Sequence, residues 1–156
     1  MGMQCWKSVF SLTLLSLCSE SRGDIFEISP LDFGSIVVAD NNSSQRISIN
    51  YTGSISSTTG IYIVTPPATG EFLLTNYPSE QQVFITARSI QAQSNSDIYT
   101  ADQFTLTDVD VPSVITTDPA GSATLYVGGT LETSGSGINS YTNTQYRITY
   151  QISVNY

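Results

Sequence analysis

From Gln145 to Tyr156 apolar and polar side chains alternate without a break: Tyr146, Ile148, Tyr150, Ile152, Val154 and Tyr156 interleave with Gln145, Arg147, Thr149, Gln151, Ser153 and Asn155. Successive side chains of an extended chain point to opposite faces, so this pattern puts six apolar groups on one face of a strand. A helix with a 3.6-residue period would scatter the same residues around its surface. Gln145–Asn155 is therefore read as a strand with one buried face, and a fold containing it must supply a sheet and an apolar layer to cover it.

The rest of the chain is written in the same style. Short runs of β-branched and aromatic residues lie at 25–28, 34–38, 46–51, 60–64, 71–76, 82–87, 103–107 and 123–127. Between them fall breakers such as Asn41-Asn42-Ser43, Pro66-Pro67, Tyr77-Pro78, Pro112-Ser113, Asp118-Pro119 and Gly135-Ser136-Gly137. Ala123, Leu125, Val127, Gly129 and Leu131 alternate like the last run, and Gly128-Gly129 is expected to mark a bulge or bend. The stretch Ser89–Asp97 is rich in Gln and Ser with little apolar face, and is read as loop. Nine strands at fairly regular spacing, with no convincing helical window, give an all-β antiparallel sandwich or barrel.

Residues 1–23 have a different character. Lys7 precedes a short apolar run carrying Val9, Phe10, Leu12, Leu14, Leu15 and Leu17, and Ser19, Ser21 and Gly23 follow it. This is the layout of a signal peptide. The small residues allow cleavage before Arg22 or before Asp24, and the second is preferred here. The run of about ten residues is half the length a bilayer-spanning helix needs, and no later segment approaches that length. The expectation is an exported protein of the periplasm, cell surface or extracellular space, with residues 24–156 as one domain and no transmembrane anchor. A lipidated Cys18 fits less well, because Leu17 stands where a small residue belongs. Arg22-Gly23-Asp24 spells an adhesion tripeptide, but it straddles the expected cleavage site.

Composition narrows the chemistry. The chain has 13 acids, 5 bases and no histidine, for a formal net charge of −8. Without imidazole, Ser-His-Asp and Cys-His nucleophiles, histidine bases and histidine metal sites are all out of reach. The few bases stand apart, so nucleic acid, which is bound by clustered Lys and Arg, is not an expected partner. From Asp24 onward no lysine and no cysteine remains, both Cys5 and Cys18 lying in the leader. The exported domain must then be held by its core rather than by disulfides.

Four motifs could carry function. Leu31-Asp32-Phe33-Gly34 is read as a core-and-turn element, with Leu31 and Phe33 inward, Asp32 capping a turn and Gly34 permitting a bend. Asp108-Val109-Asp110, near Asp102 and Asp118, offers hard oxygen ligands, yet neither the turn glycine nor the bidentate Glu of a calcium loop follows. A paired-carboxylate hydrolase would need Asp102, Asp108 or Asp110 in a cleft near a second acid. They are read instead as a solvated edge that discourages aggregation, so neither a metal, a cofactor nor an enzymatic activity is expected. The last strand, through Tyr146, Ile148, Tyr150, Ile152, Val154 and Tyr156, is the candidate for contact with a partner or chaperone, because an exposed strand can recruit another by β-augmentation.

Three segments carry a family resemblance: Leu31-Asp32-Phe33-Gly34-Ser35-Ile36-Val37-Val38; Gly70 to Pro78 with Val83-Phe84-Ile85-Thr86; and Ala123 to Leu131, followed by Val154-Asn155-Tyr156 at the end. In this order they resemble the bacterial exported domain of unknown function 4402, a relative of fimbrial and spore-coat-U-type subunits. Asn76 stands where that family usually has glycine, and residues 88–102 have no counterpart in it. The resemblance implies an immunoglobulin-like, pilin-like sandwich at the bacterial envelope. The function expected is that of a non-enzymatic structural or adhesive surface subunit, fimbria-like or coat-like, whose partners are copies of itself, other envelope subunits or a periplasmic chaperone. The other reading is a monomeric extracellular carbohydrate- or protein-binding module.

Overall fold

In the computed structural model, residues 23–91, 93–138 and 141–156 are described. Of the leader expected at residues 1–23, residues 1–22 lie outside them. The described residues hold no helix, hence none long and apolar enough to cross a membrane. They form thirteen strands, every pair of them antiparallel.

The largest sheet has six strands. Its path runs β1 (Asp24–Ser29), β6 (Gly70–Thr75), β11 (Ala123–Glu132), β3 (Arg46–Ile49) and β4 (Ile55–Ser57), and β9 (Thr105–Asp110) also pairs with β11. A second sheet has β7 (Gln82–Ser89) at its centre, with β10 (Val114–Thr116) on one side and β13 (Tyr150–Asn155) on the other. Two short ribbons complete the set: β2 (Ser35–Val38) with β5 (Ile61–Thr65), and β8 (Asn95–Ser96) with β12 (Tyr146–Arg147).

One hydrophobic cluster draws on both main sheets. Leu74, Leu125, Val127 and Ile47 come from the six-stranded sheet, and Val83 and Ile85 from the three-stranded one. The alternation of the sequence is what delivers them. In β6, Phe72 and Leu74 turn inward while Glu71, Leu73 and Thr75 are left half-exposed. Burying five fully enclosed aliphatic side chains (Ile47, Leu74, Leu125, Val83 and Val127) at about 2 kcal/mol each supplies a large share of the driving force.

The observed strands differ from the expected ones in several respects. β4, β8 and β10 are additional, because a three-residue pairing such as Ile55-Ser56-Ser57 carries too little apolar content to register as a run. The strand expected at 103–107 starts two residues later and continues to Asp110. The run Gln145–Asn155 is not one strand: β12 and β13 belong to different sheets, and the chain switches between them at Ile148-Thr149. There the Thr149 carbonyl accepts hydrogen bonds from Ile90 and Gln91 N–H at 3.2 and 3.4 Å, where β7 ends. Finally, the irregularity in β11 lies at Thr130/Leu131, where the pairing with β9 slips by one residue. Gly128-Gly129 serves close approach instead: a Cβ on Gly128 would stand 2.3 Å from the Ile49 carbonyl oxygen.

Candidate functional site

β13 is bonded to β7 alone and β1 to β6 alone, so among the described strands each closes its sheet with a free edge. Those edges flank a groove of about 470 Å³, whose lining includes Ile25 and Glu27 of β1, Leu31, Phe72, Ile148 and Ile152. Of the six residues singled out in the last segment, Ile148, Tyr150 and Ile152 line it, Val154 shares the face of Tyr150 and Ile152 on β13, and Tyr146 stands apart on β12, against Phe104. Tyr146, Ile148, Tyr150, Ile152 and Val154 are partly buried and pack against the core, whereas Tyr156 is 53% exposed. The opposite face of β13 is polar: Gln151, Ser153 and Asn155 are exposed, and Arg88 donates twice to the Gln151 side-chain oxygen.

β1 contributes little to the core. Asp24 to Ile28 are all exposed, and neither Ile25, Phe26 nor Ile28 belongs to the hydrophobic cluster. The sequence pattern pairs Phe26 with Ile28, but the residues that reach the groove are Ile25 and Glu27. Nothing in the sequence marks them, since an edge strand exposed on both faces has no burial periodicity.

Inside the groove the Tyr150 phenol is the one strongly perturbed group. Burial pushes its pKa up to about 12, the Glu27 carboxylate adds to the rise, and a hydrogen bond with the Leu31 backbone acts the other way. Tyr150 is therefore a neutral hydroxyl across the ordinary pH range, able to donate a hydrogen bond but not to act as a base. Its oxygen lies 3.3 Å from where a Cβ on Gly70 would stand, so that glycine makes room for it.

The acids named as possible ligands or catalysts are dispersed. Asp102 is buried and accepts hydrogen bonds from the Ser134 and Ser136 hydroxyls at 2.6 and 3.1 Å. Asp108 is exposed on β9, Asp110 accepts from Tyr51 N–H at 3.0 Å, and Asp118 caps a turn through Ala120 and Ser122 N–H. Among the described residues no three of His, Cys, Asp and Glu gather where they could hold a metal ion. Asp32 takes the turn role: its Oδ1 accepts from Gly34 N–H at 2.8 Å, and Gly34 has a left-handed φ of 69°.

The order of these segments along the chain can be compared with known families. The family model described as Domain of unknown function (DUF4402) matches residues 24–156. The chain belongs to this family. No curated protein and no solved structure matches it. In this DUF4402 domain the first two of the segments that carried the resemblance reach the groove, through Leu31 and Phe72, and the third pairs with the second. Asp32 bridges to Ala68 just ahead of β6, Phe72 of β6 is the register partner of Leu125 in β11, and Val154-Asn155 completes β13. Asn76 has a φ of 62°, a left-handed conformation that Asn tolerates better than most other non-glycine side chains.

Proposed function

We propose that this DUF4402 domain is an exported, non-enzymatic structural or adhesive subunit of the bacterial envelope, related in fold to immunoglobulin-like, pilin-like sandwiches. In this reading the leader directs export and is removed. The open edge between β1 and β13 then receives an extended strand from another copy, from a second envelope subunit or, in transit, from a periplasmic chaperone.

The observation that carries the reading is the pair of unpaired strand edges flanking one groove, in which Ile25, Leu31, Phe72, Ile148 and Ile152 stand beside Glu27 and Tyr150. A free edge offers a row of unsatisfied N–H and C=O groups, and a neighbouring strand that satisfies them can place alternate side chains in the groove. Natural proteins blunt such edges with Lys, Pro or a covering element. Along β13 the edge carries only Gln151, Ser153 and Asn155 as outward side chains, none of which repels a partner by charge.

The test is the assembly state of the chain beginning at Asp24. Sedimentation velocity over a range of concentrations, with electron microscopy of the same samples, is expected to give oligomers or filaments. Ile152→Asp, which places a carboxylate in the groove, should reduce them to monomer while far-ultraviolet circular dichroism stays β-rich. A sharp monomer boundary at every concentration, with no fibres, would sink the reading.

A further inference from the structure

A second and larger pocket, of about 850 Å³, opens beside β8, in the stretch that the sequence pattern reads as loop. Its lining includes Gln91, Gln93, Asn95, Tyr99, Gln103 and Thr105. Every lining side chain is an amide, a hydroxyl or a phenol, and none is charged.

Part of this lining is held in place. The Gln103 side-chain oxygen accepts from Ser94 Oγ at 2.8 Å, and its Nε2 donates to Ser96 Oγ at 3.1 Å and to the Thr100 carbonyl at 3.3 Å. Ser94 is itself fixed, for its hydroxyl accepts from Phe104 N–H at 3.0 Å. Beside this ordered floor, the side-chain amides of Gln91, Gln93 and Asn95 make no hydrogen bond with the described residues. Tyr99 stands at the rim, 90% exposed, with a free aromatic face.

The electrostatics of the site choose among ligand classes. Asp97 is ion-paired with Arg147, and Asp102 is turned toward Ser134 and Ser136. No cation lines the pocket to pair with a carboxylate, sulfate or phosphate, and no acid lines it to pair with an amine. An apolar ligand would strip water from three free amides and leave them unpaired, at a cost of about 1–3 kcal/mol each. The complementary ligand carries many neutral groups that both donate and accept, and an aliphatic face to lie against a ring.

We infer that this pocket binds a neutral carbohydrate, with Gln91, Gln93 and Asn95 bonding its hydroxyls over the floor that Gln103 orders, and the Tyr99 ring stacking on its C–H face. The inference deepens the adhesive half of the proposed function by naming a ligand class, but it uses a different surface from the β1–β13 groove. Assembly and glycan binding can therefore fail separately.

The experiment uses the chain from Asp24 on an array of neutral glucans, mannans and galactans, with polygalacturonate and heparin as acidic controls. The best neutral binder is then titrated by calorimetry against wild type, Tyr99→Ala and Gln93→Ala/Asn95→Ala. Binding to neutral glycans and roughly tenfold weakening in Tyr99→Ala, the scale of one aromatic contact, are expected. The double variant should weaken binding as well, and both variants should sediment as wild type does. Silence on every neutral glycan, preference for the acidic polymers, or unchanged affinity in both variants would each overturn the inference while leaving the assembly result standing.

Discussion

The ring of Tyr156 meets that of Tyr77 edge-on, with centroids 5.1 Å apart and planes at 79°. Tyr77 is buried at the turn after β6, and its N–H donates to the Gly121 carbonyl at 3.1 Å, ahead of β11. One aromatic pair thus fastens the far end of β13 to the six-stranded sheet. The near end is fastened at Thr149, whose carbonyl takes hydrogen bonds from the N–H groups of Ile90 and Gln91, the two residues after β7. Between these two anchors β13 borders the groove, which leaves its middle open to a partner without leaving the strand loose.

Removing the Tyr156 ring should therefore loosen β13 without dismantling the fold. Tyr156→Ala is expected to cost about 1 kcal/mol, the value of an edge-to-face pair, and Tyr156→Phe much less because the ring contact remains. Urea unfolding gives the first number. Amide exchange should show the loss of protection concentrated at Ser153 to Asn155, and uniform loss across β7 would contradict the anchoring role.

Alkaline pH should weaken the fold through its buried tyrosines. The Tyr150 pKa is raised from 10.0 to about 12. Tyr77 moves upward mainly by burial with Tyr156 and Asp24 adding to it, and Tyr141 moves upward mainly by burial against opposing hydrogen bonds with Ser134. The folded state then binds protons that the unfolded state has released, so stability holds below about pH 10 and falls as pH rises toward about 12. Tyr150→Phe should make that fall shallower. Denaturant midpoints measured across the range decide the matter, with a wild-type profile flat to about pH 12 as the contrary result.

Much of this architecture is legible in side-chain alternation. Leu125 and Val127, or Phe72 and Leu74, announce both their strand and their buried face, because a strand lying on a core must alternate. Alternation does not say which strand lies alongside. Tyr146 and Ile152 share one pattern yet belong to strands of different sheets, since the pattern continues unbroken through the switch at Thr149. The groove was legible only on its β13 side. Its other wall, Ile25 and Glu27, lies on a strand exposed on both faces, where no period marks an inner side. The pocket beside β8 is built of amides and hydroxyls, and a sequence read for apolar runs passes over it as loop.

Close backbone approach makes Gly128 intolerant of even one methyl group. A Cβ there would lie 2.3 Å from the Ile49 oxygen and 2.5 Å from the Asn50 carbonyl carbon, both backbone atoms that cannot rotate away. Gly128→Ala should therefore cost about 3 kcal/mol or more by forcing β11 off β3. Gly137→Ala is the control: nothing lies within 4 Å of its Cβ position, and only its left-handed φ of 76° resists, at about 1–2 kcal/mol. Equal thermal shifts in the two variants would contradict the close-approach account.

Ile25 and Leu74 are register partners across β1 and β6, yet they differ in burial. Leu74 is fully enclosed and Ile25 is 39% exposed beside the groove. If β1 is held mainly by its backbone ladder, truncating the two side chains must have very different consequences. Leu74→Ala should cost about 2–5 kcal/mol by leaving a cavity in the core. Ile25→Ala should cost under about 1 kcal/mol, because the side chain is already partly in water. Chemical denaturation of both variants measures the difference. Comparable losses would mean that Ile25 is packed into the core, and a groove closed in that way would have no room for the strand of a partner.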